Sequence, residues 1–126
     1  MENEFVIYEQ AVKLKELGFK ERVLIYFEDD KVKLHNSLKG WDFNTSFLTC
    51  ISRPTKSQVF RWFRENHMID SFINVFTDFK NEKYYVYIIF KNGDGSVSAN
   101  ENSYDDHQEA ESECINTLIS LIEAKI

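Results

Sequence analysis

The residues that could do chemistry in this 126-residue sequence are three histidines, two cysteines and several adjacent carboxylates. His35, His67 and His107 stand far apart, without His-x-x-x-His spacing, and Cys50 and Cys114 have no second Cys or His at ligand distance, so no metal site is indicated. Asp29-Asp30 and Asp105-Asp106 could do acid/base work. Their positions, at a turn and at a helix start, explain them through turn and dipole preferences instead. Asn92-Gly93-Asp94-Gly95 is too short for a phosphate loop or a twelve-residue calcium loop. No Ser, Cys or His suggests a nucleophile elbow. The reading is therefore of a non-enzyme, without cofactor or metal, whose two cysteines are reduced thiols, Cys114 lying on the apolar face of a helix.

What remains is recognition chemistry. Arg61 and Arg64, with Arg53 and Lys56 beside them, lie on or near a helix that also carries Trp62. Arg next to aromatics is enriched in interfaces and stacks on bases, although a solvated helix face has the same composition. A second group, Trp41 and Phe43 with Phe47, falls in the least regular stretch of the chain. These rings either pin a crossover as a satellite core or form part of a recognition surface. The candidate interaction surface is Trp41, Phe43, Arg61, Trp62 and Arg64.

The elements that must position these residues follow from periodicity. Tyr84–Phe90 is an uncharged aromatic and β-branched run between polar turns, a central strand with an antiparallel neighbour on each side. Glu9–Leu17 reads as a helix ended by Gly18 in a Schellman motif with Phe19 packing back on Leu14. Arg22–Phe27 and Lys31–His35 form a hairpin, with Val32 and Leu34 on one face. Thr55–Asn66 is a helix opened by Thr55 and Gln58, with Val59, Phe60, Trp62 and Phe63 on one arc. Strands at Asp70–Thr77 and near Ser96–Asn100 flank the central one. A last helix, Asp106–Lys125, starts with an Asp106/Glu109 capping box and buries Ala110, Cys114, Ile115, Leu118, Ile119, Leu121 and Ile122.

Composition places the chain among globular proteins: eleven Phe, six Tyr and two Trp against one Pro and four Gly. The acidic start, Met1–Glu4, is unlike a signal peptide, and no run approaches the length of a membrane helix, so a cytoplasmic protein is expected. The net charge of −6 comes from the C-terminal end, since residues 101–126 hold one Lys against seven Asp/Glu. That balance disfavours a nucleic-acid partner there.

Two resemblances follow. Phe60-Arg61-Trp62-Phe63-Arg64-Glu65, with Glu109–Ile115, Leu118-Ile119, Tyr8–Ala11 and Leu14–Phe19, resembles small uncharacterised proteins of Bacteroidetes prophages and related mobile elements. That family has no assigned activity, so the resemblance implies an origin. In order and length, residues 55–125 are similar to the double-stranded-RNA-binding domain, with Ala110 at the alanine of that family's Lys-Lys-x-Ala-Lys helix start. Its phosphate-binding lysines are replaced here by His107, Gln108 and Glu111, and the Asp78–Lys83 loop lacks its Gly-Pro and His.

The expectation is a single α+β domain over 1–126, an antiparallel sheet with helices packed on one face in the order α-β-β-α-β-β-β-α. Its parts are a helix-hairpin at 5–35, a crossover loop at 36–52 and an α-β-β-β-α unit at 55–125. Functionally it is expected to be a non-enzymatic accessory protein of a phage or mobile element, acting by contact with an unidentified protein partner. The alternative is a nucleic-acid-binding module derived from the double-stranded-RNA-binding architecture.

Overall fold

A computed structural model describes residues 2–35, 39–91, 97–99 and 103–125. The Asn92–Gly95 turn lies outside the described residues. The fold is α+β, built on two three-stranded antiparallel sheets. The chain divides into two compact units, Met1–Lys56 with Ile119–Ile126, and Ser57–Leu118.

In the first unit, helix α1 (Tyr8–Glu16) opens with the Gln10 side chain accepting a hydrogen bond from the Ile7 N–H at 3.1 Å. It closes as the sequence predicts. Gly18 adopts φ +96° and donates to the Lys15 carbonyl, and Phe19 donates to the Leu14 carbonyl, which is the Schellman pair of bonds. Ala11, Leu14 and Phe19 are buried behind it. Strands β1 (Ile25–Glu28) and β2 (Lys31–Leu34) meet through Asp29 and Asp30, both at positive φ, the signature of a two-residue type I′ hairpin. The adjacent carboxylates are thus turn residues. Val32 and Leu34 do share a face, but β2 is an edge strand and both are exposed.

The described part of the crossover expected at 36–52 is not irregular. Residues 39–53 form a short helix α2 (Phe43–Ser46), capped by the Asp42 carboxylate at 3.2 Å from Thr45 N, and a strand β3 (Cys50–Arg53) that pairs with β1. The first sheet is therefore β2-β1-β3, and the element order gains α2 and β3, besides a single 3-10 turn at Glu2–Glu4. The signal was hidden because β3 is four residues long and ends in a buried arginine. Arg53 Nε donates to the Val6 carbonyl at 2.8 Å, and the guanidinium lies over the rings of Phe5 and Phe27. A short sequence window shows none of those partners, since Val6 is 47 residues away.

The second unit holds most of helix α3 (Lys56–His67), then β4 (Ile69–Thr77), β5 (Lys83–Lys91), β6 (Val97–Ala99) and the greater part of α4 (His107–Glu123). β5 is the central strand, antiparallel to β4 over nine pairs and to β6 over three. Asp78 closes the β4–β5 turn, its carboxylate accepting from Lys80 N at 2.8 Å and Glu82 N at 3.0 Å. Asp106 caps α4 by accepting from Gln108 N at 3.0 Å. One sheet face, carrying Ser71, Ile73, Tyr85, Tyr87 and Ile89, is covered by α4: Tyr87 Oη meets Thr117 Oγ1 at 2.7 Å, and Cys114 is fully buried.

On α3 the buried stripe is Val59, Trp62 and Phe63, spaced three and four apart, whereas Phe60 is half-buried. On α4 the core positions are Ala110, Cys114, Ile115, Leu118, Ile119 and Ile122, with Leu121 only half-buried. Leu118 is fully enclosed, so Leu118→Ala is expected to cost about 2 to 5 kcal/mol. The exposed Arg61, changed to Ala, should stay within about 0.5 kcal/mol. Urea unfolding of both variants checks this, and equal losses would contradict the assignment of the helix faces.

Candidate functional site

Strand alternation puts Tyr26 and Glu28 of β1 on one face of the first sheet, with their cross-strand partners Ser52 and Cys50 beside them. Helix α2 lies over that face. Phe43 stacks on Tyr26 with ring centroids 4.0 Å apart and planes 16° from parallel. Three hydrogen bonds hold the helix down: Phe43 N to Ser52 Oγ at 3.1 Å, Ser52 N to Asn44 Oδ1 at 2.8 Å, and Asn44 Nδ2 to the Phe19 carbonyl at 2.8 Å. Beyond the helix, Lys15 Nζ donates to the Cys50 carbonyl at 2.8 Å and reaches those of Phe47 and Leu48 at 3.4 Å. A cavity of about 460 Å³ is left open between these parts, within the usual range for small-ligand sites.

Its walls are mainly rings. Tyr26, His35, Trp41, Phe43 and Phe47 line it, with His35 edge-on to Phe43 at 5.4 Å and stacked near Trp41 at 6.4 Å, and Glu28, Thr49 and Cys50 supply further polar atoms. Trp41 is placed by an isolated bridge to Val23, each residue donating its N–H to the other's carbonyl. The bridge requires Gly40. At φ +72°, a Cβ there would lie 2.7 Å from the Val23 carbonyl oxygen, so only glycine lets the backbone come this close. Trp41 and Phe47 remain 43% and 48% exposed, with ring surface still accessible.

Cys50 is the thiol in the cavity, and its setting works against a nucleophilic role. Burial, a hydrogen bond to Glu28 (Sγ to Oε2, 3.7 Å) and the negative charge of that carboxylate all push the thiol pKa up. A nucleophilic cysteine needs the opposite surroundings. Cys114 is enclosed on α4, and burial chiefly raises its thiol to about 12. Both cysteines are free thiols. Among the described residues, no group of three or more His, Cys, Asp or Glu is placed to hold a metal ion.

A second feature is the other face of the second sheet. Phe72, Asn74 and Phe76 of β4 alternate onto it beside Ile88, Val86 and Tyr84 of β5, and Phe76 stacks on Tyr84 at 5.5 Å. Phe72 is 50% and Phe76 43% exposed, and Phe90 on the same face is also exposed. Among the described residues β4 pairs on one side only, leaving a nine-residue edge.

The five residues singled out from sequence have different fates. Trp41 and Phe43 share the cavity, Phe43 as a buried wall and Trp41 as an accessible one. Trp62 is a core residue, 4% exposed and edge-on to Phe63 and His67, because its spacing from Val59 places it inside the buried stripe. Arg61 and Arg64 are exposed, and Arg64 Nε lies 3.9 Å from Asp70 Oδ1. Arg53 and Lys56, read as neighbours of that surface, are both buried. Sequence reasoning missed Tyr26, Glu28 and Cys50. The first two were legible as an i, i+2 pair on one strand face, and only the unrecognised strand β3 brings Cys50 to them.

Comparison with known proteins brings no match, whether to protein-family models, to curated proteins or to solved structures.

Since the thiolate is the reacting species, Cys50 should be alkylated by iodoacetamide at pH 8 more slowly than an unstructured cysteine peptide. Glu28→Gln removes the charge that disfavours the thiolate and should speed the reaction. A wild-type rate equal to the peptide's, or no change in the variant, would contradict this account of the site.

Proposed function

We propose that this chain is a non-enzymatic cytoplasmic interaction module that acts by protein–protein contact, as an accessory protein of a phage or mobile element. The observation that carries the reading is the outer face of the second sheet. Phe72, Phe76 and Phe90, with the half-buried Tyr84, Val86 and Ile88 beside them, make a mainly apolar surface whose polar members on β4 and β5 are Asn74 and Asp70. Contiguous exposed apolar patches on soluble proteins mark contact sites. The adjoining β4 edge, Ile69–Thr77, has neither Pro nor Lys to discourage pairing. An extended segment of a partner could add to that edge by main-chain hydrogen bonds and cover the rings with its alternate side chains.

Charge supports a protein partner over a nucleic acid. Arg53 and Lys56 are buried, and Asp105, Asp106, Glu109 and Glu111 surround the start of α4, where the RNA-binding architecture relies on lysines. The mobile-element origin rests on the resemblance of Phe60–Glu65 and Glu109–Ile115 to prophage proteins. In keeping with a module that acts in solution, no helix among the described residues is long and apolar enough to cross a membrane.

A photo-crosslinking phenylalanine analogue at position 76, activated in cells carrying the native locus, tests the proposal. Discrete protein adducts, absent when the analogue replaces the exposed Lys20 of the first unit, are expected. Adducts removed by nuclease would overturn the proposal in favour of nucleic-acid binding. In a gel-shift titration near 0.15 M salt with a duplex of about 20 base pairs, no complex is expected at tens of micromolar, because Arg61 and Arg64 supply at most about two of the roughly 6 to 10 contacts such binding needs. Sub-micromolar binding abolished by Arg61→Glu would reverse the ranking.

A further inference from the structure

We infer that the aromatic cavity of the first unit is a receptor for a guanidinium group, the side chain of arginine. The inference is independent of the partner surface on the second sheet. It rests on what the cavity offers and on what it leaves unpaired. Trp41 and Phe47 present accessible ring surface, and cations are drawn to such faces, arginine more often than lysine because its flat group also stacks. Glu28 adds a carboxylate to the lining of the same cavity, and a carboxylate accepts the paired N–H groups of a guanidinium in one plane.

That carboxylate has no cationic partner among the described residues. Its polar contact is the weak one from Cys50 Sγ at 3.7 Å, with a neutral thiol as donor. Lys31 is the internal rival, since it stands directly across the hairpin from Glu28, yet the two form no ion pair. The other nearby ammonium, that of Lys15, is committed to the carbonyls of Phe47, Leu48 and Cys50. An anionic ligand would meet the Glu28 charge. A purely apolar ligand would strip water from the carboxylate without replacing it, and a quaternary ammonium would bring no hydrogen-bond donor. A guanidinium meets both demands, with its faces toward the rings and its edge toward Glu28. The lining is built beforehand: Gly40 and the Val23–Trp41 bridge place Trp41, and the Phe43–Ser52–Asn44 hydrogen bonds hold Phe43 and the short helix that carries it.

The test follows the Trp41 indole N–H signal in nitrogen–proton spectra of the full chain, with the buried Trp62 indole as internal reference. The probes are N-acetyl-arginine methylamide, its neutral isostere N-acetyl-citrulline methylamide, and free L-arginine. The blocked arginine should move the Trp41 signal in a saturable way, with affinity on the order of millimolar or better. The citrulline probe, lacking the charge, should bind at least about tenfold more weakly, and Glu28→Gln should weaken the arginine probe by a similar factor. Tighter binding of the blocked form than of the free amino acid would assign the site to an arginine within a polypeptide, and the reverse order to free arginine. Either order supports the inference. No movement of Trp41, equal binding of arginine and citrulline probes, or unchanged binding in a Glu28→Gln variant with an otherwise native spectrum would overturn it.

Discussion

The first unit depends on one buried charge. Arg53 ends β3 with its guanidinium almost wholly enclosed, its Nε bonded to the Val6 carbonyl and its plane over Phe5 and Phe27. A guanidinium in a core is stable only where its donors find acceptors, so burial of Arg53 obliges the chain around Val6 to lie beside β3. Val6 N and the Pro54 carbonyl then complete the contact at 3.2 Å. With β3 in place along β1, Ser52 and Cys50 come to the face where Tyr26 and Glu28 already point, and Phe43 is bonded down onto Ser52. The cavity thus depends on the strand, and the strand on the arginine.

Much of the fold could be read in the sequence because its signals are local. Gly18 followed by Phe19 announced the Schellman end of α1, the charge-free run at Tyr84–Phe90 announced the central strand, and Asp106 announced the start of α4. Each needs only neighbours within a few residues. The misreadings involve partners distant in sequence. Arg53 and Lys56 looked like surface cations, since charge is a good guide to exposure until a buried acceptor intervenes. The crossover expected at 36–52 looked irregular because a four-residue helix and a four-residue strand are too short to establish a period.

The candidate site was legible in half. Trp41 and Phe43 stood out as aromatics in an otherwise polar segment, and both line the cavity; Glu28 and Cys50 become neighbours only through the β1–β3 register. The alternatives posed for the aromatics, satellite core or recognition surface, divide between residues: Phe43 is packed and Trp41 is accessible. The apolar outer face of the second sheet was hidden for another reason. A run such as Tyr84–Phe90 reads as a strand covered on at least one face and does not say whether the other is covered too; here that other face is partly open to water.

The most direct test of this account is the urea-unfolding free energy of Arg53→Met. Methionine keeps an apolar stem of similar length among Phe5 and Phe27 but leaves the Val6 carbonyl without its donor. If the arginine organises the unit through that bond, the variant should lose about 2 to 3 kcal/mol, the cost of removing a charged donor from a buried acceptor. An unchanged or increased stability, as when a buried charge is replaced by a well-packed apolar side chain, would contradict it.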